Sequence, residues 1–197
     1  MASKVSILNM ALVNVGSSGF IQDPGENSAE ANHCRVVYDE AVKSTLEALD
    51  WNFARVKVAL ADLGTPDGDW VYQYAYPSNC IKARKIQTAI RNEKPFPFKI
   101  GLNSAVTQKV VNTDIEDAVL IFTANVTNTE LFSSAFAIAL SWQIAMGISG
   151  PLSGNDKNIM DKVRTGLATA LAQAQVLDAN EGQEDDERDA PWIKEYE

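Results

Sequence analysis

Tyr38-Asp39-Glu40-Ala41-Val42-Lys43-Ser44-Thr45-Leu46-Glu47-Ala48-Leu49-Asp50-Trp51-Asn52-Phe53 is the stretch in which the chain changes its pattern. Cys34, Tyr38, Val42, Leu46 and Leu49 recur every three or four residues, so they share one helical face. Lys43 and Glu47 stand four apart and can pair, in the weaker orientation. Trp51 and Phe53 follow at once, and from Ala54 the apolar residues alternate. Large aromatics at element ends bury area, so both read as core anchors. The stretch is a junction between a helical layer and a sheet.

Upstream, Ser3 can cap a first helix in which Val5, Leu8, Leu12 and Val15 form an apolar stripe, with Gly16 as its stop. Asn27 and Glu30 have capping-box spacing and open the second helix. Joined by a short loop, the two helices are expected to pack antiparallel. Downstream, Val56, Val58 and Leu60 alternate with Arg55 and Lys57, and residues 64–68 form a loop. Trp70, Tyr72, Tyr74 and Tyr76 share one strand face. Residues 81–90 read as a strand, 96–100 and 106–111 as a hairpin about Gly101-Leu102-Asn103-Ser104, and 119–126 as a buried last strand. Short strands with tight connections give a mostly antiparallel sheet.

Thr127 and Glu130 have capping-box spacing and are expected to start a third helix. Residues 131–155 carry no charge. That run is long enough to span a bilayer. Ser133, Ser134, Ser141 and Gln143 dilute it, residues 147–151 are expected to end it, and no basic cluster flanks it, so it is not read as a span. A helix this apolar on all sides is central in its fold or packed against neighbouring subunits. A fourth helix restarts at 153–156, with Met160, Val163, Leu167, Ala170, Ala174 and Leu177 close to a heptad seam. The fold class is therefore α+β, mainly α. Residues 1–53 and 127–178 form an antiparallel helical bundle, 54–126 an inserted, mostly antiparallel β-rich domain, and 179–197 an acidic flexible tail.

The net charge of −9 is unevenly spread. Residues 178–197 hold nine acids against two bases, and the other 177 residues hold seventeen against fifteen. A nearly neutral body argues against tight nucleic-acid binding, which needs clustered Lys and Arg. Cys34 and Cys80 have no motif spacing, and the N-terminus lacks the basic region and cleavage site of an exported protein. A reduced intracellular setting, with both thiols as buried hydrophobes, is expected.

Chemistry is sparse. His33 is the single histidine and adjoins Cys34, a neighbour it cannot face on a helix. No phosphate-binding loop or dinucleotide fingerprint is present, and no metal-ligand spacing links His33, Cys34 and Cys80. Asp39, Glu40, Asp50, Asp67, Asp69, Asp114, Glu116 and Asp117 could supply a glycosidase carboxylate pair beside a sugar-stacking aromatic row. The carboxylates read as solvated and the aromatics as one face of a half-buried strand. The acidic run at 184–187 lacks the spacing of a calcium loop. Trp192, Ile193 and Tyr196 stand beyond a polar spacer as candidate binding anchors.

Several segments together resemble a known family. They are Ile7-Leu8-Asn9-Met10-Ala11-Leu12 before a glycine, Tyr38-Asp39-Glu40-Ala41 leading to Leu49-Asp50-Trp51-Asn52-Phe53-Ala54, and residues 70–76 before Pro77-Ser78-Asn79-Cys80. Next come Thr113-Asp114 with residues 118–122, and Phe136-Ala137-Ile138-Ala139-Leu140-Ser141-Trp142 before Ile148-Ser149-Gly150-Pro151-Leu152. Over residues 3–178 the chain resembles the tail tubular protein A family, the head-to-tail adaptors of short-tailed phages. Val42 and Lys43 stand where that family usually carries an arginine after its Tyr-Asp pair.

The resemblance implies a virion structural protein at the head-tail junction, made in the host cytoplasm, with no enzymatic activity and no cofactor or metal. It implies a ring, usually of twelve copies, between the portal protein and a nozzle of the tail tubular protein B type. DNA would leave through that ring without specific binding, and no membrane is involved. The segment with Trp192, Ile193 and Tyr196 would dock onto the portal. The alternative reading is an adaptor-like protein with polysaccharide hydrolase activity.

Overall fold

The computed structural model describes residues 2–64, 66, 68–88 and 95–181. Among them are four α-helices and seven strands in two antiparallel sheets, an α+β fold. The helices are α1 (Lys4–Val15), α2 (Ala29–Ala48), α3 (Ser134–Ser153) and α4 (Lys157–Glu181). Between α2 and α3 lie β1 (Arg55–Ala59), β2 (Asp62–Gly64), β3 (Tyr72–Ala75), β4 (Cys80–Gln87), β5 (Phe98–Leu102), β6 (Lys109–Thr113) and β7 (Val119–Ala124).

The caps follow from the need to satisfy the orphan N–H and C=O groups at helix ends. Ser3 Oγ accepts from Ser6 N, and Gly16 closes α1 in the left-handed conformation. The cap of α2 is Ser28, not Asn27: its Oγ accepts from Ala31 N and donates to Glu26, which also accepts from Gln22 N and Asp23 N. Thr127 does not start α3. Asn128 caps a 3-10 turn at Thr129–Leu131, and Ser133 caps the helix itself. Nor does the segment at 147–151 end α3. Pro151 sits in the last turn, where it costs one hydrogen bond, and the helix runs on until Gly154 adopts positive φ.

The charge-free helix is the axis of the helical layer. α1, α2 and α4 each pack on α3, and α1 and α2 touch each other little. The expected α1–α2 pair is therefore replaced by two helices flanking a third. Their core contains Leu8, Leu12, Cys34, Leu46, Trp51, Phe136, Leu140, Ile144 and Val163. α3 has the length and mean hydropathy of a membrane span, yet half of its most apolar stretch is buried inside the fold. Two glycines allow close approach: a Cβ on Gly147 would meet Val37, and one on Gly166 would meet the Trp142 ring. The α4 seam departs from expectation at its end. Leu177 is exposed and Asp178 is buried, and the helix continues to Glu181, three residues into the segment expected to be tail.

The sheets run β1-β7-β4 and β2-β3-β6-β5. Two sheets replace the one expected, because Leu60 and Ala61 carry the chain from one to the other. Leu60 N donates to Ala118 O on the first side, and Ala61 O accepts from Ala75 N on the second. β2 has only three residues and ends in Gly64, too short to show a period. Tyr74 and Val111 from one sheet meet Ile86, Leu120 and Phe122 from the other in a second apolar cluster. β7 is buried throughout, as its unbroken apolar run requires. β1, at the edge of its sheet, is exposed at every residue. The hairpin turn lies at 103–108, beyond the expected glycine, where Asn103 Oδ1 accepts from Thr107 N and Gln108 N. The fourth strand stops at Gln87, and Ile90 lies outside the described residues.

The junction that opened the sequence reading ties the layers together. α2 ends at Leu49 in extended backbone, leaving its last carbonyls without helical partners. Arg84 of β4 supplies them: its guanidinium donates to the carbonyls of Leu46, Glu47 and Leu49, while Nε donates to Thr123 Oγ1. Lys82 Nζ adds a bond to Glu47 O. Trp51 Nε1 donates to Thr45 O at 2.7 Å, which lets the indole lie fully buried, edge-on to Phe136. Asn52 then bonds Asp178 through its backbone N–H and its carboxamide, fastening the end of α4 to the same point.

Candidate interaction surface

A groove of about 500 Å³ lies between α1 and α3. Its shape starts from Asn9. The Asn9 carboxamide donates to Ile21 O and accepts from Ile21 N, both at 2.8 Å, in the manner of a strand pair. That clamp drives Ile21 into the core and leaves its neighbour Phe20 64% exposed at the rim. On the floor, Asn14 Nδ2 donates to Ser141 Oγ, which donates to Ile138 O. These bonds satisfy the polar floor internally, so the groove presents mainly apolar walls. Met10, Val13, Phe20, Ile138 and Trp142 form them, and Ile138 is 48% exposed although it belongs to the central helix. Val13, exposed one step off the buried α1 stripe, completes an apolar patch shared by two helices and a loop.

A smaller hollow of about 250 Å³ lies beside Tyr38, Asp39, Val42 and Lys43. The Tyr38 hydroxyl is buried without a hydrogen-bond partner among the described residues, and Lys4 Nζ stands 3.9 Å from the ring centroid. Burial raises the pKa of this phenol above its ordinary value. Lys43 pairs with Glu40 at 2.9 Å, not with Glu47 as expected, because the i,i+3 carboxylate is also within reach on the helix surface.

The candidate chemical groups do not converge. Cys34 is buried in α2, and desolvation pushes its thiol up to about 11. Half-buried Cys80 is also raised, again by desolvation. His33 lies half-buried on α2. Among the described residues no three His, Cys, Asp or Glu side chains are gathered into a metal-sized group. Asp50 is engaged by Arg55 at 3.0 Å, and Asp114 accepts from Val71 N. Asp39, Glu40, Asp69, Glu116 and Asp117 are exposed, as their solvated reading requires, and Asp67 lies outside the described residues.

The aromatic row is not an open sugar platform. Tyr74 is 2% exposed and donates its hydroxyl to Ile115 O, with the Tyr72 ring stacked beside it. Trp70 lies outside the strand. Trp192, Ile193, Tyr196 and the acidic run at 184–187 lie outside the described residues.

No protein-family model matches this chain, and no curated protein matches its sequence. The groove residues Phe20, Val13 and Ile138 were not singled out in the sequence. One signal pointed toward them: a charge-free helix is either wholly enclosed or turned partly toward another surface. α3 does both, since it is central and yet shows Ile138 at the groove.

Proposed function

We propose that this protein is a head-to-tail adaptor of a short-tailed phage, a structural ring component between portal and tail nozzle. The observation that carries the reading is the groove between α1 and α3, where apolar side chains of the central helix reach the surface. A monomer gains nothing from leaving Phe20, Val13 and Ile138 in water, whereas a ring subunit can bury them against a neighbour. In this reading the helices form an antiparallel bundle with the two sheets as its inserted β-rich part. About twelve copies assemble, as is usual in the family that the chain resembles, with DNA passing through without specific binding. The role is structural and not enzymatic. The polysaccharide-hydrolase alternative is less well supported, because its aromatic row packs into the core.

The test is molar mass by light scattering, for the 21.5 kDa chain alone and mixed with the cognate portal ring. The expected result is a small species alone and a multi-copy complex with portal. A truncation after Glu181 keeps the fold and loses docking, because Trp192, Ile193 and Tyr196 go with it. Phe20→Asp with Ile138→Asp keeps portal contact but lowers the number of copies bound. A protein that ignores the portal at every salt concentration overturns the adaptor reading.

A further inference from the structure

The β5–β6 hairpin carries an apolar tip that its own sheet does not cover. Phe98, Ile100 and Leu102 fall on one face of β5 by strand alternation. Phe98 packs on the second apolar cluster, but Leu102 is 56% exposed and Val106, in the turn, is 70% exposed. Val106 also takes a φ of 57°, in the left-handed region that disfavours a β-branched residue. Hydrogen bonds to and from Asn103 hold it there. Asn103 Oδ1 accepts from Thr107 N and Gln108 N, Nδ2 donates to Thr107 Oγ1, and the Asn103 carbonyl accepts from Val106 N. The turn is therefore tightly tied, and it keeps a valine in water where glycine or asparagine would sit with less strain. Backbone strain of this kind gathers at positions that clamp a ligand or partner.

The groove between α1 and α3 has the complementary character. Residues 5–22 and 131–155, which build it, carry no charge, and neither do residues 100–108 of the hairpin. Interface centres exclude charge and favour aromatic side chains and methionine as anchors, and Met10, Phe20 and Trp142 stand in the groove walls. At about 500 Å³ the groove is within the range of pockets that enclose a small molecule, so it has room for two aliphatic side chains. The hairpin does not fill it from within the chain: β5 pairs with β6 and β6 with β3, and no extensive contact joins either strand to α1 or α3. One chain thus holds a socket in its helical layer and a knob at the edge of its second sheet, both left in water.

We infer that the groove between α1 and α3 takes the β5–β6 hairpin tip of a second copy, with Leu102 and Val106 seated among Val13, Phe20 and Ile138. The inference rests on the ring reading above and names what fills its groove. A knob and a socket at different places on one chain make a heterologous contact, which repeats from copy to copy and closes into a ring when the rotation allows. A two-fold pair needs one self-complementary patch instead, and a concave groove or a convex tip does not match itself. A tip already tied by Asn103 loses little freedom on seating, which favours the contact without further polar partners.

Disulfide trapping with peptide mapping tests it. Full-length Val106→Cys and Phe20→Cys proteins are made separately, mixed in equal amounts and oxidised, concentrated alone and on the cognate portal ring. Each protein carries one of the two positions, so a 20–106 link joins two chains. That link is expected to dominate over 20–20 and 106–106 links. Val106→Gly supplies a readout that a merely structural turn would not move. It relieves the positive φ, so the variant is at least as stable, while self-association weakens about tenfold, as for loss of one anchor side chain at an interface centre. Unchanged association in that variant overturns the inference, as do dominant 20–20 or 106–106 links. Absence of the 20–106 link in both settings overturns it too, and a multi-copy portal complex formed without the link leaves the adaptor reading standing. A 20–106 link in the protein alone, with no binding to portal, supports the inference and overturns the adaptor reading. Leu102→Asp with Val106→Asp, at two exposed positions, keeps the fold and lowers the number of copies on the portal. An unchanged number with loss of nozzle binding would assign the tip to the nozzle and overturn the inference.

Discussion

Replacing Arg84 by methionine keeps the aliphatic stem and removes the guanidinium that joins sheet to helix. The side chain is 14% exposed, and burial lowers its pKa, so its charge is held largely out of water. Three α2 carbonyls and Thr123 Oγ1 lose their donor together. A hydrogen bond to a charged group contributes about 1.5–3 kcal/mol, and bonds from one group are not additive. Water can reach the exposed Glu47 carbonyl more easily than those of Leu46 and Leu49. The expected loss is about 3 kcal/mol, which for a chain of this size lowers the melting temperature by about 9 °C. Asp50 is 37% exposed and 3.8 Å away, so a double-mutant cycle with Asp50→Asn yields a coupling below about 1 kcal/mol. Urea unfolding followed by circular dichroism measures both quantities. A loss under about 1 kcal/mol in Arg84→Met would mean that water replaces the guanidinium at no cost, and the junction would not depend on it.

Two further outcomes test the packing at the middle and the end of α4. Gly166→Ala places a Cβ 2.5 Å from the Trp142 ring. Overpacking of about 1–3 kcal/mol outweighs the roughly 1 kcal/mol gain in helix propensity, so the variant is less stable, and Trp142→Leu restores much of the loss; a more stable single variant would refute the close contact. Asp178 has its pKa raised, chiefly by desolvation, against the lowering effect of the Asn52 N–H. The folded state therefore binds this proton more tightly than the unfolded state. The contribution is fully present below the ordinary carboxylate value of about 3.9 and is lost as pH rises through the folded pKa. Comparing chemical unfolding of the parent with Asp178→Asn isolates it: the parent's relative stability falls over that window, and a relative rise would mean that Asn52 and Arg55 outweigh burial.

Periodicity made the four helices legible, since the stripes at Leu8, Leu12 and Val15 and at Cys34, Tyr38, Val42 and Leu46 are the buried ones. Trp51 as an anchor and β7 as a buried strand were legible for the same reason: both are large apolar signals in short windows. Local signals failed where two neighbouring residues competed for one role. Ser28 displaced Asn27 as a cap, and Asp178 displaced Leu177 in the α4 seam because Asn52, far away in the chain, supplies its partner. The candidate groove was only partly legible. Phe20 is exposed because Asn9 holds Ile21, a contact across twelve residues that no local pattern encodes.

Sequence alone thus determined the main element types, the helix–sheet junction, the presence of an uncharged helix and the segregation of acidic charge toward 178–197, because each depends on composition or on spacing within a few residues. Tertiary structure decided that α3 separates α1 from α2, that the strands divide into two sheets, and that Arg84 closes the end of α2. Each of these is a pairing between residues distant in the chain, fixed by which buried groups must find partners once the layers meet.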